Sequence, residues 1–251
     1  MAISHLGLSL ISIIFLAGSL VLLWFIILSG ITPTTPLSST YFLRADTSGI
    51  TGARDISQWT YFRICGASNL DCGPSAPALA FGAAWTGPDT QNAPPSLAGP
   101  HGGGTTSTTY WYLWRFGTVM YLITLFFETI AFFTSFLACC GRLGSAVTGL
   151  LAGVALFFGS VAVALMTATF VKARNAFVAD GRDASLGSWA FGFAWGSWAA
   201  LLIATVLFCV GRGRSSKTGA GAVTSGRKRR WGRRRASTRS YDGRRVKEEY
   251  P

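Results

Sequence analysis

Residues 146–171 read AVTGLLAGVALFFGSVAVALMTATFV, with no acidic or basic side chain among them. A run this long and this apolar exceeds the roughly 20 residues that a helix needs to cross a hydrocarbon core of about 30 Å. Segments 8–28, 116–138 and 186–210 have the same character, and Glu128 is the only acid or base in all four. The whole chain agrees. Half of its 251 residues are hydrophobic and only 13% are charged, against about 25% in an ordinary soluble domain, and its mean hydropathy is +0.39. The expected fold class is an all-α membrane protein: a four-helix transmembrane bundle over 1–210, followed by a tail over 211–251. The first segment is expected to stay uncleaved, because no Lys or Arg precedes it and no small-x-small site follows it.

The net charge of +12 is almost entirely in the tail, where 14 basic side chains face three acids, a net +11. A basic tail on a nearly neutral apolar body reads as cytosolic by the positive-inside rule. Four spans return both termini to that side and leave 29–115 and 172–185 outside. Lys172, Arg174 and Arg182 oppose this orientation, against Arg142 alone in the inner loop, but the tail outweighs them. Arg227, Lys228, Arg229, Arg230, Arg233, Arg234 and Arg235 surround Trp231 without an intervening acid. Each is worth about 1 kcal/mol near an anionic leaflet, and the indole suits headgroup depth. Ser237 follows in a setting that a basophilic kinase uses, and a phosphate there would weaken the attraction. The expected partner of the tail is therefore the anionic inner leaflet; four spans upstream argue against nucleic acid.

The cysteines divide the same way. Cys65 and Cys72 fall in the long outer loop, where a disulfide would close the turn-prone segment 68–71. So short a loop contributes about 2 to 3 kcal/mol. Cys139, Cys140 and Cys209 sit at inner span ends, where thiols stay reduced; Cys139 and Cys140 are candidates for S-acylation or for simple packing. In the same outer loop, residues 56–64 (ISQWTYFRI) read as a strand, and the Pro/Gly/Thr-rich segment 87–109 reads as a flexible tether. Tyr110, Trp111, Tyr112 and Trp114, with Trp189 further on, suit a bilayer interface.

Around these cysteines the residues Trp59-Thr-Tyr-Phe-Arg-Ile-Cys65-Gly66 and Asp71-Cys72-Gly73-Pro-Ser-Ala-Pro-Ala-Leu-Ala-Phe81 resemble the outer-loop signature of the fungal Sur-seven/PalI family, claudin-like tetraspans of the plasma membrane. The resemblance covers most of the chain: a first span, a cysteine-bearing outer loop, three clustered spans and a basic tail. It implies that Trp59 packs near the bridge in a small extracellular sheet. It also implies a plasma-membrane organiser of eisosome-associated cortical patches, linked to endocytosis and cell-wall integrity, with cortical scaffold proteins as partners. A PalI-type ambient-pH sensing component is the alternative within the family.

Within the spans, small residues recur every fourth position: Ser145, Gly149 and Gly153, then Ser188, Gly192, Gly196 and Ala200. Such faces let helices approach closely, within the chain or between copies in a homo-oligomer or lateral assembly. Glu128 is costly at that depth and marks either a structural group or a small channel or transporter site. His5 and His101 are too isolated to form a metal site. No catalytic residues, metal or cofactor are expected, and the chain is not read as an enzyme.

Overall fold

The computed structural model describes residues 5–32, 34–77, 79–86, 92–138 and 142–221. Cys139, Cys140 and the tail cluster 227–237 lie outside them. Four helices dominate: α1 (His5–Ile27), α2 (Thr108–Ala138), α3 (Arg142–Ala179) and α4 (Ser188–Gly221). Each contains a stretch long and apolar enough to cross a membrane: Gly7–Ile27, Thr108–Phe136, Ala146–Ala179 and Ser188–Val210. The exposed side chains of these helices are largely apolar, while polar groups such as Ser19, Thr118, Thr124, Glu128 and Ser135 are buried, and the helices are held in place by close contact between neighbours. In the bundle, α2 runs along α3, α1 runs along α4, and α3 and α4 close the pairs against each other.

Four short strands form one antiparallel sheet on the bundle's end: β1 (Leu43–Asp46), β2 (Ile56–Trp59), β3 (Ile64–Cys65) and β4 (Ala184–Leu186), in the order β3-β2-β1-β4. The α1–α2 connection supplies β1, β2 and β3. The α3–α4 connection supplies β4, which pairs Leu43 with Leu186 and Ala45 with Ala184. A three-residue strand carries too little pattern to be read from sequence, so this union of two separated loops was not anticipated.

Helix ends differ from the expected limits. α2 begins eight residues before 116, because the aromatic cluster is its first turns rather than a preceding belt. Tyr110 and Trp114 are buried there, Trp114 fully, while Tyr112 is exposed. They pack on Phe81, so only part of the cluster is free for an interface. α3 continues to Ala179, eight residues past 171, carrying the exposed Lys172 and Arg174 on its outer turns. At about 1.5 Å per residue, its 38 residues span roughly 57 Å, well beyond the hydrocarbon core, so these charges stand above it. Leu186 belongs to β4, and α4 starts at Ser188.

Two other expectations are corrected. The run 56–64 is a hairpin, in which the backbone N–H and Oγ1 of Thr60 both donate to the Arg63 carbonyl, at 3.0 and 2.8 Å. Tyr61 and Phe62 form its loop without Gly, Asn or Asp. The segment 92–107 is packed rather than a tether. Leu97 is fully buried, as is Thr106, and the backbone folds back through hydrogen bonds from Thr106 to His101 and from Ser107 to Leu97. One buried leucine and a few paired amides anchor it despite a composition that cannot build a core alone.

Sheet and bundle share one core. Phe42, Trp59, Tyr61, Phe81, Trp114, Phe170 and Phe177 are all essentially inaccessible. Phe42 stacks on Phe170 of α3 at 4.9 Å between ring centres, and Trp59 stacks on Phe81 at 4.9 Å while lying 5.6 Å from Phe177.

Candidate functional site

The cap built from the α1–α2 and α3–α4 connections is where the singled-out loop residues converge. Cys65 and Cys72 are bonded to each other. Flanking glycine amides close the intervening turn: Gly66 N–H donates to Leu70 O at 2.7 Å, and Gly73 N–H donates to Ile64 O at 2.9 Å. A Cβ on Gly66 would stand 3.2 Å from the Leu70 carbonyl, so the position has little room for a side chain. Asn69 occupies left-handed backbone, φ 55°, which asparagine tolerates better than most residues. Its backbone N–H donates to Gln58 Oε1, and its Nδ2 donates to the carbonyls of Leu37 and Thr40, at 2.8 and 3.0 Å. The bridged turn is thereby fixed to the chain entering β1. Sequence reasoning read this stretch only as turn-prone and missed Asn69 as its anchor.

Trp59 pairs with Ile64, and Gln58 pairs with Cys65. Adjacent strand residues face opposite ways, so the indole is one pair from the bridge yet directed to the helices. Its Nε1–H donates to the Phe81 carbonyl at 3.0 Å, while its ring stacks on the Phe81 side chain. Next along the hairpin, Tyr61 reaches down into the bundle. Its N–H donates to Ser29 Oγ at 3.1 Å and its hydroxyl donates to Thr118 O at 2.7 Å. Burial raises the Tyr61 phenol far above its ordinary pKa, with the neighbouring Tyr121 adding to the effect. It remains a neutral donor across the physiological range. The hairpin tip is thus pinned to the chain just past α1 and to α2.

The α3–α4 connection is tied on by Arg182, whose Nη1 and Nη2 donate to the carbonyls of Ser48 and Asn92, each at 2.8 Å. Its Nε lies 3.2 Å from Asp180. Nearby, the Asp46 carboxyl is held below its usual range by hydrogen bonds from Ser48, with the Arg182 charge assisting. Arg44, Asp46, Asp55 and Asp183 line an open groove of about 580 Å³ on this face. Among the described residues, no group of three or more His, Cys, Asp or Glu is arranged to hold a metal ion.

Inside the bundle, Glu128 is fully buried, and among the described residues neither carboxylate oxygen has a partner in hydrogen-bond geometry. Ser19 of α1 bears on it, but that hydroxyl is committed to Ser197 of α4, 2.9 Å from its carbonyl and 3.1 Å from its Oγ. The small-residue positions divide. A Cβ at Gly196 would stand 3.4 Å from Leu22 and one at Gly149 would stand 3.8 Å from Phe208, whereas Gly153 and Gly192 meet nothing within 4 Å. The tightest glycine contacts between helices are elsewhere: Gly117 against Met166, at 2.9 Å, and Gly159 against Thr124, at 3.3 Å. Both lie between α2 and α3 and outside the four-residue pattern, which is why a search for periodic small residues passed over them. Cys209 is a free, exposed thiol.

This architecture coincides with what comparison with known proteins finds. The family model described as the SUR7/PalI family matches residues 8–207, which take in all four spans and the cap. Protein SUR7 of Candida albicans is 35% identical over 207 residues, covering 80% of this chain and 72% of that protein. SUR7 family protein FMP45 of Saccharomyces cerevisiae is 34% identical, covering 75% of this chain and 61% of its own length. A third similar sequence, 30% identical and covering 79% and 66%, is the Saccharomyces cerevisiae protein named as the uncharacterized plasma membrane protein YNL194C. The chain thus spans between about three fifths and three quarters of the length of these relatives.

Proposed function

We propose, from the premise that this chain belongs to the SUR7/PalI family, that it is a non-enzymatic organiser of the plasma membrane. In this reading both termini are cytoplasmic, the disulfide-braced cap is extracellular, and copies gather in eisosome-associated cortical patches connected with endocytosis and cell-wall integrity. The observation that carries it is the extent of the family match, which runs through bundle and cap together rather than through one span. A bridged pair on the cap side and a free thiol at Cys209 near the opposite end suit an oxidising exterior and a reducing interior. Gly153 and Gly192, where an added Cβ would meet nothing within 4 Å among the described residues, leave room for helix contact between copies in a lateral assembly. Cortical scaffold proteins are the corresponding partners on the inner side.

A fluorescent fusion expressed beside a cortical-domain marker tests this directly. The expected result is punctate signal at the cell cortex that overlaps the marker and recovers slowly after bleaching. A uniform, rapidly recovering signal would overturn it, and loss of alkaline-pH signalling on deletion, with the cortical pattern unchanged, would favour a PalI-type sensing role.

The tail is proposed to bind the anionic inner leaflet through the seven basic side chains around Trp231. A peptide of residues 225–240 should bind vesicles containing anionic lipid, lose affinity as salt rises, and lose more when Ser237 is phosphorylated. Equal binding to neutral vesicles would contradict the proposal.

A further inference from the structure

Where the cap meets the bundle edge, Ile31, Phe62, Arg63, Ser75, Ala76 and Pro77 line an open groove of about 360 Å³. That volume lies within the usual range for small-molecule sites, roughly 300–1,000 Å³. Its lining joins the apolar Ile31, Phe62, Ala76 and Pro77 to the cationic Arg63. Ile31, just past the end of α1, is 44% exposed, and Phe62 at the hairpin tip is half-buried. Arg63 makes no ion pair or side-chain hydrogen bond among the described residues, and its Nε is buried without a partner. A guanidinium does not lose its proton in proteins, so a buried, unmatched N–H of this kind costs stability until an acceptor occupies the site.

The depth of the groove narrows the identity of that acceptor. Tyr61, the residue before Phe62, donates to Ser29 just beyond α1 and to the carbonyl of Thr118 in α2. Counted back from the inner end of α2 at Ala138, the roughly 20 residues that cross the hydrocarbon core reach to about residue 118. The hairpin tip therefore sits near the upper boundary of the hydrocarbon, a few residues past the end of the first span at Ile27, where Ile31 and Phe62 adjoin the first acyl carbons and Arg63 adjoins the headgroups. At that boundary the abundant anionic acceptor is a lipid phosphate, whose oxygens match the planar fork of arginine.

We propose that this groove binds a phosphate-bearing lipid from the cap-side leaflet, with Arg63 holding the phosphate and Ile31 and Phe62 receiving the start of an acyl chain. The site is independent of the tail, which follows α4 in the chain, and it does not depend on the cortical role proposed above.

The test uses the full chain in nanodiscs containing a phosphatidic acid with a photoreactive acyl chain, with crosslinks mapped to peptides. Crosslinks are expected on the segments that hold Ile31 and Phe62. Arg63→Gln should lower them about ten-fold or more, Arg63→Lys should lower them less, and Arg44→Gln, an exposed cation elsewhere on the sheet, should leave them unchanged. The matching diacylglycerol, which lacks the phosphate, should not label these segments, and inorganic phosphate should not compete. Mapping the crosslinks separates this site from lipid held by the tail. Equal labelling in Arg63→Gln and the parent chain would overturn the proposal, and so would competition by inorganic phosphate, which would indicate a free-anion site. If Arg63→Gln fails to form the Cys65–Cys72 bridge, Ile31→Ser takes its place: it adds no charge beside the guanidinium and should cut labelling comparably, and unchanged labelling would equally refute the lipid assignment.

Discussion

Trp59→Ala is expected to destabilise the cap by about 3 to 5 kcal/mol, the usual cost of removing a fully buried aromatic. The indole is inaccessible, stacks on Phe81 and donates to the Phe81 carbonyl. Truncation thus removes a large packed surface and leaves that buried carbonyl without its donor, at a site where β2, the 81–84 turn and α3 meet. Trp59→Phe keeps most of the ring contact and loses only the hydrogen bond, so it should cost about 1 kcal/mol. The contrast is best read in detergent or nanodiscs by proteolysis of the cap against denaturant, since local opening of the cap can precede disruption of the helices. Equal shifts for the two variants would show that the ring contact contributes little.

The second large effect is expected at Gly187, between β4 and α4. A Cβ there would be driven into the backbone carbonyl of Tyr41, and a backbone group cannot rotate aside as a side chain does. Gly187→Ala must push β4 away from β1 or displace the start of α4, and overpacking of this kind costs about 1 to 3 kcal/mol, occasionally more. Hydrogen exchange should report it as lost protection at Gly187, whose N–H donates to Phe42 O at 3.1 Å, and along β1 and β4. Gly18→Ala in α1, where the added methyl meets nothing within 4 Å, is the control and should be neutral or slightly stabilising, because alanine is the better helix former. Unchanged protection in Gly187→Ala would mean that the two loops are not docked as described.

Much of this arrangement is legible in the residues themselves. Apolar runs of 20 or more residues with at most one charge read as spans, so the helices and their number follow from composition alone. Cys65 and Cys72 could be paired from their spacing and compartment. The same logic fails where structure depends on partners distant in sequence. Nothing local marks Ala184–Leu186 as a strand; it becomes one only because β1 offers a free edge. The segment 92–107 has the composition of a linker, and only the burial of Leu97 shows that it is held. Thr60–Arg63 turns without turn residues because Tyr61 gains two hydrogen bonds from the helices beneath, a tertiary contribution that outweighs local preference. Arg182 and Asn69, the residues that join the loops, are ordinary polar residues until the carbonyls they bind are located.

That the sheet is assembled from both loops also has a consequence in time. β1 is made early, but the strand that covers its second edge lies roughly 140 residues further along the chain. At about 5–20 residues per second, translation takes on the order of ten seconds to deliver it. Throughout that interval β1 presents unpaired N–H and C=O groups, the kind of edge that recruits neighbouring chains. The nascent protein is therefore most vulnerable to aggregation after its disulfide can form but before its last helix is inserted, and variants that weaken β4 docking should be recognised by quality control during biogenesis even when the finished bundle would tolerate them.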